Sequence, residues 1–372
     1  MARVLRRDAR GEQRTFLPCF GEDFASGAIV TAGLWGVTSG LAAATLAEAI
    51  PPGCRRVLDG ISPSAVSVQG EEALIVAPEW PAAGATHFVP SFTALTPAPF
   101  SIRFELSARI GGAWTPWAAS VGLGPAPFAS SAAERPISVD VDVFRTIAAV
   151  EAVRLRLRVR APDLSVVRAA PWALTLSAAA VTTPGPSSTP ANTPAGPATT
   201  AGAPVRLAVP PLSQMEADAA LAHRICSPTC VAMVLGYWRR PAAVAELARE
   251  VFHPGTDLYG VWPAAILAAG RRGIAGYLLR FPDWAAAAWC LARGLPVIAS
   301  VRYASGELTG AAAASTPGHL LVLTGFEDGV VLVNDPAAPT AAGVSRRYAL
   351  DELQRVWLER SAVGYVLFAV DR

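Results

Sequence analysis

The stretch Arg224-Ile-Cys-Ser-Pro-Thr-Cys-Val-Ala-Met-Val234 carries the sharpest chemical signal in the chain. The apolar run beyond it, with Pro228 near its start, predicts a helix over 228–239, because proline suits a first helical turn. Cys226 then sits immediately before that helix. There the first backbone N–H groups have no intrahelical partner and the dipole is positive. Both favour thiolate, the nucleophilic form of sulfur. Cys230 lies inside the helix, where the dipole fades and packing dominates, so it reads as a core residue.

A nucleophilic thiol needs a base, and the base needs an orienting group. The chain has only four histidines, His87, His223, His253 and His319. His319 heads an apolar, strand-like run, so its imidazole can stand at the end of a sheet. Asp335 ends the next such run, Val331-Leu-Val-Asn-Asp335, beyond a turn at Glu327-Asp-Gly329. A hairpin would bring the end of the second run beside the start of the first. A carboxylate there would fix the histidine tautomer and favour imidazolium. Gln214, twelve residues before Cys226, could join the Cys226 N–H in stabilising an oxyanion, a role worth roughly 3–4 kcal/mol. Taken alone, a glutamine there is more often a surface or turn residue.

Other chemistries compete for the same residues. His223-x-x-Cys226-x-x-x-Cys230 offers three zinc donors, but no fourth follows nearby. The two cysteines also lack Cys-x-x-Cys redox spacing. No metal and no other cofactor is therefore expected. His87 and His253 have no partner pattern and read as structural or exposed. Asp257, in the Gly255–Gly260 loop, is a candidate to line a cleft.

The 372 residues leave room for two or three domains. Hydrophobic residues make up 52%, enough for more than one core, while charged residues are only 16%. The net charge of +2 gives no electrostatic reason to expect nucleic acid as a partner. All 31 basic residues are arginine. This excludes a Walker A lysine, a Schiff base and a Ser-x-x-Lys dyad. Five cysteines in a chain this long do not form a disulfide scaffold. Cys19 and Cys54 could pair in an exported protein or remain free thiols. The basic start, residues 1–10, is not followed by an apolar core, so no signal peptide is legible. A cytoplasmic location is the default expectation, with export left open. Phe24–Ala47 is uncharged but rich in Gly, Ser and Thr, and reads as strands and turns before it reads as an anchor. No clear membrane span is expected, and the oligomeric state is not legible.

Composition divides the chain into a tail (1–19), a β-rich domain (20–181), a Thr/Pro/Ala-rich linker (182–204) and a second domain (205–372). The linker has no charge and no aromatic residue, so it cannot bury a core. Before it, Phe100–Arg109, Ile137–Val143 and Val153–Arg160 alternate apolar and polar residues, as strands with one buried face do. Several such runs suggest an antiparallel β-sandwich. Arg154, Arg156, Arg158 and Arg160 then form a stripe on one face. It is read as a solvated sheet face, with an anionic polymer as the alternative. Trp114 and Trp117 are read as packing residues, with a ligand platform as the alternative. After the linker, helices are expected at 228–239, 241–251, 262–272 and 283–293. Strands are expected at 295–301, 320–324, 330–333 and 364–370. Helices first and strands later indicate an α+β domain.

Together, Gln214, Cys226-Ser-Pro-Thr, Gly318-His319 and Asn334-Asp335-Pro336 resemble the papain-like cysteine peptidases of the bacteriocin-processing group and their relatives. The resemblance covers most of residues 205–372 and includes Tyr237-Trp238 and Gly260-Val-Trp-Pro263. It implies that Cys226 is the nucleophile, His319 the base, Asp335 the orienting group and Gln214 the oxyanion donor. A weaker resemblance, resting on Trp114-Thr-Pro-Trp117, links residues 20–180 to the β-rich domain preceding the peptidase domain in some bacterial relatives. The sequence carries no transporter portion, so leader removal during export is not implied. The expected activity is cysteine-dependent hydrolysis of a peptide or amide bond in a peptide or protein substrate. An acyltransferase using the same thioester chemistry, or a peptidase-like binding protein without turnover, are the alternatives.

Overall fold

Side-chain alternation decides how the amino-terminal strands lie. In the strand Ala152–Arg160, Val153, Leu155, Leu157 and Val159 are buried while the four arginines that alternate with them are only half-buried. In this computed structural model, which describes residues 5–7, 13–15, 28–129, 136–182 and 203–370, that strand is central to a seven-stranded sheet. It pairs with Ser101–Ile110 on one side and Glu72–Val76 on the other. A six-stranded sheet, centred on His87–Ala94 and Trp172–Thr182, shares its apolar core. The pairing is not wholly antiparallel as expected. Ala28–Ser39 runs parallel to Arg55–Gly60, the two joined by a crossover that contains the short helix Ala43–Glu48. Most of Phe24–Ala47 is thus strand and short helix. Among the described residues no helix is long and apolar enough to cross a membrane. The greater part of the linker, 183–202, as well as Cys19, lies outside the described residues.

The arginine stripe is ion-paired. Arg156 and Arg158 both engage Glu105, and Arg158 and Arg160 both engage Glu72. Arg154 lies 3.8 Å from the Trp114 ring centroid, and Arg156 4.1 Å from that of Trp117. Cross-strand acids and aromatic faces therefore absorb the positive charge locally.

Trp172–Thr182 alternates differently. Trp172, Leu174 and Leu176 enter the core between the two sheets, while small Ala173, Thr175 and Ser177 turn towards the carboxy-terminal half. That half is built on antiparallel strands in the order Ile274–Arg280, Val363–Ala369, Val297–Tyr303, Thr316–Glu327, Val330–Asn334, Ser345–Ala349. Ile274–Arg280 is an edge strand, and an uncovered edge exposes unpaired N–H groups. Here serine hydroxyls of the amino-terminal half meet them. Leu278 N donates to Ser91 Oγ (3.0 Å) and Arg280 N to Ser177 Oγ (2.9 Å). The helix Trp262–Gly270 approaches the same surface so closely that a Cβ on Gly270 would stand 2.6 Å from the Ala94 carbonyl oxygen. The two halves share one continuous apolar cluster, in which Phe92 and Leu174 join Ile266 and Leu278.

The helix Trp262–Gly270 has no side-chain cap of its own, because Val261 precedes it. Asp142, from the amino-terminal half, accepts the Trp262 N–H at 2.9 Å and serves as its cap. Burial pushes the Asp142 carboxyl up to about 7, although the Trp262 hydrogen bond opposes the shift. A raised carboxyl favours the neutral form on folding. Its cost to stability therefore appears as pH rises from the unfolded value near 4 towards about 7. Asn keeps a carbonyl acceptor and never ionises. Asp142→Asn is expected to unfold at higher urea than the parent at about pH 8, with the gain vanishing by about pH 4. A variant weaker than the parent at the higher pH would mean that the ionised carboxylate is the better cap.

Candidate active site

The helix that carries the thiol begins two residues earlier than expected, spanning Cys226–Tyr237. Cys226 is its first residue and Pro228 falls within its first turn, where a missing N–H costs no intrahelical bond. No side chain caps this terminus, since Ile225 precedes it. The Cys230 S–H donates to the Leu320 carbonyl at 3.2 Å, and its thiol is fully buried. Burial first, then the neighbouring Cys226, holds the Cys230 thiol well above its usual range. This bond docks the helix on the strand Thr316–Glu327, one residue from His319.

His319 is the fourth residue of that strand rather than its head. The hairpin behind it is tight. Asp328 and Gly329, both with positive φ (42° and 75°), form the two-residue loop between Glu327 and Val330, a turn that suits the twist of paired strands. Val322 pairs with Asn334, and the next residue, Asp335, accepts a hydrogen bond from His319 Nε2 at 2.8 Å. The ring also engages the Cys226 thiol. With Nε2 taken by Asp335, Nδ1 is the nitrogen left for the sulfur. The imidazole thus lies between a carboxylate and a thiol, and all three groups are buried. Burial alone would lower the His319 pKa. The Asp335 charge and hydrogen bond, with a smaller share from Cys226, overcome it and raise the ring to about 10. Burial would likewise raise Asp335, but the His319 charge, followed by the His319 and Tyr348 hydrogen bonds, holds it down at about 2. The ring is therefore imidazolium at neutral pH.

Gln214 is buried in a short helical turn at Gln214–Glu216. The segment before it is stitched to the Asp335 loop. Asn334 Nδ2 donates to Val209 O (3.0 Å), Gln214 N to Pro336 O (2.9 Å), and Ser213 Oγ to Ala338 O. Gln214 Nε2 donates to Ala222 O at 2.7 Å, four residues before Cys226. That carbonyl fixes which end of the amide faces it. One N–H of the amide thus remains beyond this bond.

The other candidates fall elsewhere. Arg224 pairs with Asp257 at 2.8 Å and stacks on Tyr259, tying the 255–260 loop to the segment preceding Cys226. His253 Nδ1 is occupied by Thr256 and His87 Nδ1 by Thr86. Cys226 and Cys230 point to different partners, and among the described residues no group of three His, Cys, Asp or Glu is placed to hold a metal ion. Cys54 is a free, buried thiol, raised to about 11 by burial and then by Asp283.

One polar contact escaped the sequence. The Tyr348 hydroxyl donates to Asp335 Oδ2 at 2.6 Å, and Ala337 N donates to Oδ1 at 3.0 Å. Tyr348 lies on the strand Ser345–Ala349, whose pairing sets it opposite Val331. Nothing local in Ser-Arg-Arg-Tyr-Ala announces that contact.

Comparison with known proteins bears on this half of the chain. No curated protein sequence matches. Among solved structures, a double glycine motif protease from an AMS/PCAT transporter, in complex with its leader peptide, is 19% identical. It covers 45% of this chain and 97% of its own, with a TM-score of 0.32. The peptidase domain of Streptococcus ComA, a bi-functional ABC transporter involved in quorum sensing, is 15% identical. It covers 43% of this chain and 98% of its own, with a TM-score of 0.32. A putative C39-like peptidase from Bacillus anthracis is 17% identical, covers 45% and 98%, and has a TM-score of 0.35. Residues 206–365 match the Peptidase_C39 like family, a match that supports a C39-like cysteine peptidase domain in this part of the chain.

Proposed function

We propose that residues 205–372 form the catalytic unit and hydrolyse a peptide or amide bond with Cys226 as nucleophile, His319 as base and acid, Asp335 as orienting group and Gln214 as oxyanion donor. The single observation behind this reading is the His319 ring, hydrogen-bonded to buried Asp335 and engaging a thiol at the first residue of a helix. The Cys226 thiolate attacks the carbonyl carbon, and the carbonyl oxygen takes up the negative charge. The Gln214 amide N–H and the Cys226 backbone N–H stabilise that charge. Imidazolium gives its proton to the leaving nitrogen as the C–N bond breaks, and a thioester with Cys226 remains. Neutral His319 then takes a proton from water, whose oxygen attacks the thioester. The acid product leaves, and thiolate and imidazolium are restored.

Gln214→Ala separates oxyanion stabilisation from thiol reactivity. It is expected to lower kcat on a peptide substrate by about 10²–10³. Alkylation of Cys226 by iodoacetamide, which builds no oxyanion, should continue at the parent rate. Unchanged kcat would remove Gln214 from the mechanism, and parallel loss of alkylation would make its role structural.

A further inference from the structure

Asp335 can hold an imidazolium only if its own carboxylate is held. A carboxylate turns about its Cα–Cβ and Cβ–Cγ bonds, and each turn moves the acceptor away from the ring. Asp335 is fully buried, so no solvent fixes it. Its Oδ1 is shared by His319 Nε2 and the Ala337 N–H, while Oδ2 accepts from the Tyr348 hydroxyl at 2.6 Å. We propose that Tyr348 is a positioning residue of the peptidase site, one that fixes the Asp335 carboxylate at the angle from which it holds the His319 imidazolium.

The inference rests on the catalytic reading above and adds a residue to it. Tyr348 is fully buried and belongs to the outermost strand of the sheet, so backbone pairing with Val330–Asn334 sets its direction. Burial first, then the Asp335 charge, raises the phenol far beyond its usual range, so the hydroxyl keeps its proton and remains a donor. Without that hydroxyl, Oδ2 is a buried charged oxygen lacking the donor that now meets it. Such an oxygen must rotate to find another donor or be neutralised by a proton. Either outcome loosens the hold on His319. The Tyr348 hydroxyl meets Asp335 rather than His319 or Cys226, so Tyr348 acts only through Asp335.

Tyr348→Phe removes the donor and little volume. Turnover of a peptide substrate is expected to show kcat lowered about tenfold with KM within about twofold, because the bond is worth about one charge-assisted hydrogen bond and does not face substrate. In an Asp335→Asn background the same substitution is expected to cause no further fall. A merely structural tyrosine would lower kcat in both backgrounds alike. 4-Aminophenylalanine at position 348 keeps a donor, and is expected to hold kcat within about threefold of the parent, whether or not the Phe variant folds. Equal kcat in parent and Tyr348→Phe would overturn the proposal. So would full loss with the amino analogue, or an undiminished effect in the Asp335→Asn background. Failure of the catalytic reading looks different: in the parent protein itself, iodoacetamide would not favour Cys226.

Discussion

Cys226→Ala is expected to abolish both peptide hydrolysis and iodoacetamide labelling of the folded protein at neutral pH, whereas Cys230→Ala keeps both. The two thiols sit one helical turn apart yet face opposite conditions. Cys226 engages the His319 ring at the helix start, beside backbone N–H groups that have no intrahelical partner. Cys230 is fully buried, bonded to the Leu320 carbonyl and pushed up by burial, so its proton stays on the sulfur. Removing a nucleophile stops the covalent route altogether. Removing a packed methylene thiol costs packing, together with one weak S–H bond. The Cys230→Ala protein should therefore melt earlier than the parent while turning over. Equal labelling of the two thiols in the folded parent would contradict the assignment, as would hydrolysis by Cys226→Ala.

Asp335→Asn is expected to act on activity and stability together, with opposite ends of the pH scale affected differently. The amide can still accept a hydrogen bond from Nε2, but the imidazolium loses its counter-charge. Hydrolysis should fall on the order of a hundredfold to ten-thousandfold. Its alkaline limit should move down towards the ordinary histidine value near 6.5. In the parent, His319 is raised to about 10, so its stabilising contribution is complete below about 6.5 and is lost as pH climbs through about 10. Asp335 is lowered to about 2, so its contribution is present above about 4 and is lost as pH falls through about 2. Stability from the pair is thus greatest between about pH 4 and pH 6.5. Breaking a buried pair costs about 3–5 kcal/mol, and the urea-unfolding deficit of Asp335→Asn should be largest in that window and shrink above it. A deficit of constant size at every pH would mean that His319 and Asp335 do not form an ionised pair in the folded protein.

Local chemistry made some of this site legible in the sequence. Asp328-Gly329 between two apolar runs announces a two-residue hairpin, and the hairpin alone brings Asp335 back beside His319. Cys226 was legible because a helix start is a property of its neighbours. The helix starts two residues before Pro228, because the proline lies within the first turn rather than opening it. Tyr348 was not legible. Its contact with Asp335 depends on a third strand joining the hairpin, and Ser345–Ala349 shows no strong strand pattern. Ile274–Arg280 was missed for a related reason: every residue in it is buried, so alternation disappears. Its pairing partner, Val363–Ala369, lies some ninety residues on by residue number. The serines that meet its free edge, Ser91 and Ser177, carry no sequence signal of that role. Their job becomes visible when another sheet edge lies against them.

The measurement closest to the centre of this account is mass spectrometry of the protein quenched in acid during turnover of a peptide ester or amide. The account predicts an acyl group on the peptide containing Cys226, absent from Cys226→Ala and released by hydroxylamine as a thioester is. Steady turnover with no acyl group on that peptide, or with the acyl group on another residue, would contradict it.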